Sequence, residues 1–237
     1  MSGQAVLVVY FYRASITSGV TRAARARHAG AAREQGGGLS FAVHTIVNAI
    51  IAIWSASDAF YLFSMPNPYV STTCVAEGVP CAWHAPLCLS LGLHVWHGLA
   101  YPLKPIDLIH HVPNWTLTSM CIYYQWGPMQ GFSLFWALMG IPGMIDYGLL
   151  VAVKQGWLGA GVEKRWNEGL NVWMRSPFCA ICAFVLITSI FNHPEIFVSN
   201  TQKFVQLING VHCGWNGQFF MSRTVDARLP SDGTPEL

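Results

Sequence analysis

Apolar residues in this chain run on for longer than the elements of a soluble core require. Six runs, at 39–63, 83–103, 105–125, 129–153, 172–192 and 196–220, are each long enough to cross about 30 Å of hydrocarbon at about 1.5 Å per residue. The pattern predicts an all-α integral membrane bundle of about six transmembrane helices. Polar positions inside the runs recur at helical spacing. His44, Asn48, Ser55 and Asp58 share one face, as do Ser90, His94, His97 and Tyr101. Asp107, His111, Asn114, Thr118 and Gln125 form a third stripe with His110 beside it, and Gln202, Gln206, Asn209, Cys213 and Asn216 a fourth, with His212 on its flank.

An ionisable group at the centre of a membrane helix costs about 2.5–3.5 kcal/mol. The stripes are therefore expected to face one another across a polar interior lined by His44, Asp58, His94, His97, Asp146, Asn209 and His212. The fourth run adds a break, "ALMGIPGMIDYGLL" at 137–150. Pro142 cannot donate to Leu138, so a kink is expected there, with Asp146 one turn beyond.

Charge orients the bundle. Arg13, Arg22, Arg25, Arg27 and Arg33 precede the first run; Lys104, Lys154, Lys164, Arg165, Arg223 and Arg228 fall in alternate loops and the tail. The opposite loops, 64–82, 126–128 and 193–195, hold no lysine or arginine. Both termini are thus expected on the positive, cytosol-like side. Arg175 and Lys203 fall inside runs, and Arg175 is near enough to an end to be expected to snorkel out.

Three segments follow: an Arg-rich arm at 1–38 with "GGG" at 36–38 as its hinge, a membrane domain at 39–220, and a polar tail at 221–237. The arm resembles an organelle transit segment, or an interfacial arm held by headgroups or a protein neighbour. Endomembrane, mitochondrial and plastid membranes remain open.

The composition agrees: 53% of residues are hydrophobic and 10% charged, where a soluble domain carries about 25% charged residues. A net charge of +2 is too small for a nucleic-acid partner. Of the seven cysteines, Cys74 and Cys81 share a loop and would pair if it faces an oxidising compartment. Cys179 and Cys182 form a C-x-x-C inside an apolar run, where packing as small hydrophobes is expected.

The histidines of "GLHVWHGLAYPLKPIDLIHHVPNW" (92–115) carry the candidate chemistry. His94 and His97 have the spacing of a zinc pair, and a membrane histidine can also ligate haem or chlorophyll. Neither has the full ligand set, so no cofactor is predicted. Proton transfer fits better: Asp107 lies one turn from His110 and His111 and can orient an imidazole as general base.

That segment, with the run at 127–177, resembles the TLC domain, the family of ceramide synthases and translocon-associated membrane proteins. The resemblance covers about 39–220 and implies a helical bundle around an intramembrane cavity for a lipid or acyl chain. The paired histidines, catalytic in ceramide synthases, correspond to His110 and His111. The acids that follow the pair in that branch are missing: Asp146 is the only acid from His111 to Lys154. A branch other than the ceramide synthases is therefore implied. Two functions are expected: a lipid-binding protein that transforms its lipid, in the manner of an acyltransferase, with His110, His111 and Asp107 catalytic; or a non-catalytic accessory subunit, whose arm and tail contact other membrane proteins.

Overall fold

The computed structural model describes residues 32–64, 67–73, 84–101, 103, 108, 111–113, 115–116, 119 and 126–226. Asp107, His110, Cys74, Cys81, the arm to residue 31 and the tail from residue 227 lie outside them. Helices α1 (Ala32–Ser64), α2 (His84–Ala100), α3 (Pro128–Phe132), α4 (Gly140–Lys154), α5 (Ala160–Leu170), α6 (Ser176–Asn192) and α7 (Asn200–Asp226) make up nearly all of the described chain. The described residues 108, 111–113, 115–116 and 119 are helical as well. Among the described residues, three helical stretches are long and apolar enough to cross a membrane: Gly38–Ser64, Pro128–Lys154 and Ala160–Asn192. The chain has the make-up of a membrane protein.

Two expectations change. The glycines at 36–38 are helical within α1 and not a hinge. Once a long apolar helix is nucleated, extending it through glycine costs only about 1 kcal/mol per residue. The fifth run also begins earlier than 172. Here α5, a turn of π-helix at Asn171–Arg175 and α6 follow one another without a loop.

The break in the fourth run falls ahead of the proline. A π-helical segment, Ser133–Leu138, ends at Met139, whose φ of −130° and ψ of −59° leave the helix. Pro142 therefore sits in the first turn of α4, where an amide has no intrahelical partner to lose. A Cβ on Gly140 would come within 2.7 Å of the Phe135 carbonyl oxygen, so the restart requires glycine.

The connections without lysine or arginine gather at one end. Thr73 pairs with Trp126 in an isolated antiparallel bridge, the Thr73 hydroxyl donates to the Ile196 carbonyl at 3.1 Å, and Asn67 lies 3.3 Å from the His193 ring nitrogen. At this end Glu195's own backbone N–H, and then His193, hold the Glu195 carboxyl below the usual carboxylate range. The end of α1, the start of α3, the end of α6 and the start of α7 therefore meet, and these helices alternate in direction.

Helix contacts are built on small residues. On α1, Thr45, Asn48 and Asp58 sit over Gly148, Gly143 and Gly131. Between α6 and α7, a Cβ on Gly217 would lie 2.6 Å from Cys179 Cβ, and one on Gly214 would lie 3.2 Å from Ala183 Cβ. Cys179, Cys182 and Cys213 fill the seam as buried free thiols. Close backbone approach of this kind takes the place of the hydrophobic effect that lipid cannot supply between helices. Gly217→Ala is expected to cost about 1–3 kcal/mol through overpacking. Gly169→Ala, whose Cβ meets nothing within 4 Å, is expected to be neutral or to stabilise by up to about 1 kcal/mol. Unfolding of the two variants in detergent measures the difference.

Candidate functional site

Helix α1 enters the bundle with His44 two turns beyond Gly38. The ring Nδ1 lies 2.7 Å from the Ser40 carbonyl one turn back. A carbonyl only accepts, so Nδ1 carries the proton and Nε2 is an acceptor. His97 Nδ1 lies 3.3 Å from that Nε2 and is therefore the donor, which leaves the lone pair of His97 on Nε2. On α2, His94 repeats the device, with Nδ1 at 2.7 Å from the Ser90 carbonyl. Two of the four rings are thus fixed by their own helices and one by its neighbour.

The rings form a chain across three helical segments. Centroid separations are 5.1 Å for His44–His97, 5.1 Å for His97–His111 and 5.0 Å for His111–His94. His44, His94 and His111 are buried and His97 is half-buried. Tyrosines lie against two of the rings: Tyr147 of α4 is 4.4 Å from His44, and Tyr101 is 5.5 Å from His97. This is a chain and not a cage. Among the described residues, no group of three or more His, Cys, Asp or Glu is placed to hold a metal ion. The His97–His44 pair, bridged nitrogen to nitrogen, can pass a proton between its rings, and two adjacent cations would repel each other. The arrangement therefore suits one mobile proton.

Asp146, next to Tyr147, turns to the other side of α4. Its carboxylate lies 3.9 Å from an Arg175 guanidinium nitrogen. Arg175 is 3% exposed and does not snorkel out, which corrects the sequence expectation. It is held instead by Asp146, by a 2.7 Å bond from Nη1 to the Asn171 side-chain oxygen, and by the face of Phe220 at 4.7 Å. A ladder continues down α5: Asn171 Nδ2 donates to the Asn167 carbonyl at 2.8 Å, and Asn167 Nδ2 donates to Glu163 at 3.2 Å. Partners of this kind let a charge remain buried where an isolated one could not.

The remaining lining residues are dispersed. Asp58 is buried on α1 against Gly131, and fourteen residues of helix put it about 21 Å from His44. Asn209 and His212 belong to α7, which packs chiefly on α6; His212 stacks on Trp215 with centroids 6.0 Å apart. The structure brings His44, His94, His97 and His111 together. It turns Asp146 to Arg175 instead, and it leaves Asp58, Asn209 and His212 elsewhere. Sequence reasoning missed Tyr147 and the ladder, although Glu163, Asn167, Asn171 and Arg175 recur every four residues.

In comparisons with known proteins, no family model, no curated protein and no solved structure matches the chain.

Asp146→Leu is expected to destabilise by about 3–5 kcal/mol, because it strands a buried guanidinium. Adding Arg175→Met should recover most of that loss. A double-mutant cycle on unfolding in detergent reads the coupling, and additive effects would refute a shared pair.

Proposed function

We propose that the chain is a six-pass, TLC-like membrane protein that binds a lipid or acyl chain in the bundle interior and transforms it by proton transfer. The observation behind this reading is the convergence of His44, His94, His97 and His111 from three helical segments. Ionisable groups kept at depth mark function by default, and one structural hydrogen bond does not call for four imidazoles. In the proposed mechanism an Nε2 lone pair of the chain removes a proton from a lipid hydroxyl or amine. The neighbouring rings then delocalise that proton. Asp107 and His110, four residues and one residue before His111 in sequence, are assigned as orienter and second base. An acyl transfer would follow from attack of the oxygen or nitrogen on the carbonyl carbon of an acyl ester or thioester as its proton passes to the imidazole; the donor's acyl bond then breaks and its leaving group takes that proton.

The proposed topology places both termini, residues 104 and 154–165 on the positive side, and the 64–82, 126–128 and 193–195 connections opposite. Single-cysteine labelling at 158 and 230 should occur from one side of the membrane and at 78 and 194 from the other. Any exchange between these sets would discard the six-span reading.

For the chemistry, cells producing His97→Ala plus His111→Ala are compared by lipidomics with cells producing the intact protein. Loss of one general base costs about 100- to 10,000-fold in rate, so a lipid class should shift between them. An unchanged profile, with the variant still folded and membrane-inserted, would rule out the enzyme. If deleting 1–38 then releases partner proteins, the accessory-subunit reading replaces it.

A further inference from the structure

A groove between α4 and α5 stands apart from the histidine chain. Ile145, Trp166, Gly169 and Leu170 line it, with Arg165. Its floor belongs to the apolar Pro128–Lys154 stretch, whereas its rim is cationic and aromatic. Arg165 and its neighbour Lys164 are exposed, as is Lys154 at the end of α4. Glu163 is buried and bonded to Asn167 and attracts Lys164, which leaves Arg165 as the cation that lines the groove. Trp166 in the groove wall and Trp157 in the turn before α5 are 66 and 78% exposed, and exposed indoles are enriched at the level of lipid headgroups. Gly169 meets nothing within 4 Å of a would-be Cβ, so the groove stays open over it.

We propose that this groove binds a phospholipid with an anionic headgroup. One acyl chain lies along Ile145, Trp166 and Leu170 above Gly169, and the phosphate sits on the Arg165 guanidinium, whose planar fork matches it. Lys164 adds positive charge that selects an anionic headgroup over a zwitterionic one. The occupant is identified by complementarity: an apolar slot continuous with a membrane-length helix, ending at an exposed arginine on a rim where Lys154, Lys164 and Arg165 outnumber Glu163 and Glu168. The site goes beyond the proposed function and does not rest on it.

The test uses the full chain in detergent, titrated with phosphatidylglycerol and phosphatidylcholine of identical acyl chains and read by native mass spectrometry. The intact protein should prefer phosphatidylglycerol about five- to tenfold. Arg165→Gln should bring that ratio near one while phosphatidylcholine still binds. Gly169→Leu, which fills the slot at an open position, should weaken both lipids, and Arg223→Gln should change neither. The proposal is overturned if Arg165→Gln keeps the preference or Gly169→Leu leaves both lipids bound. Displacement of phosphatidylglycerol by millimolar inorganic phosphate alone, or a dimer that Gly169→Leu abolishes, would overturn it too. Each result is independent of whether the histidine variants alter cellular lipids.

Discussion

A guanidinium enclosed by apolar helices has to find a carboxylate, an amide oxygen and an aromatic face, or the helices cannot close around it. Arg175 finds all three: Asp146 from α4, Asn171 from its own helix and Phe220 from α7. That one requirement brings three helices to a common point and sets the rotation of each. It also accounts for the π-turn at Asn171–Arg175. The wider turn sits where α5 passes into α6, and there the Asn171 side chain reaches both Asn167 and Arg175. Such π-turns are frequent where a helix must aim a particular side chain.

The same constraint acts more gently on α1. Asn48 and Asp58 need room as well as partners, and glycines across the seam provide it: Gly143 faces Asn48 and Gly131 faces Asp58. Because α1 is seated by these contacts, His44 is delivered to Tyr147 and His97 at a depth that packing alone determines. The break at Met139 serves the same arrangement. Ser90 of α2 reaches the Met139 sulfur at 2.8 Å, so the interruption of the helix meets a side chain of α2, which itself packs on α1. Helix α2 presents His94 and His97 one and two turns further along.

Helical periodicity made much of this legible. Gln202, Gln206, Asn209, Cys213 and Asn216 were grouped by spacing alone, and all five are buried; His44, Asn48, Ser55 and Asp58 are likewise all buried. A period of 3.6 specifies which face turns inward but carries no information about depth or neighbour. That is why His44 and Asp58 were assigned to one lining although about 21 Å of helix separates them. Partner choice was equally hidden. Arg175 lies near the start of an apolar run and read as a snorkelling residue, because its acid comes from another helix 29 positions earlier in the chain. The break could be placed only to within a turn. Proline announces that a helix cannot pass undisturbed, whereas the residue that actually yields is the one whose neighbours leave it space.

Depth links the two polar centres to each other. His44 lies near the start of α1, His97 near the end of α2, and Asp146 and Tyr147 two turns before the end of α4. All of these lie away from the connections gathered around Thr73, Trp126 and Ile196. The imidazole chain and the Asp146–Arg175 pair thus occupy one half of the bundle, back to back across α4, at the end where Lys154, Lys164 and Arg165 emerge. Tyr147, packed on His44, stands next to Asp146 in α4, and Asp146 faces the Arg175 guanidinium. For the proposed base this matters physically. The carboxylate faces Arg175, so the α4 side chain that meets the His44 ring is Tyr147 and not an acid. Nδ1 of His44 and of His94 is committed to a backbone carbonyl, so in each ring the acceptor nitrogen is Nε2.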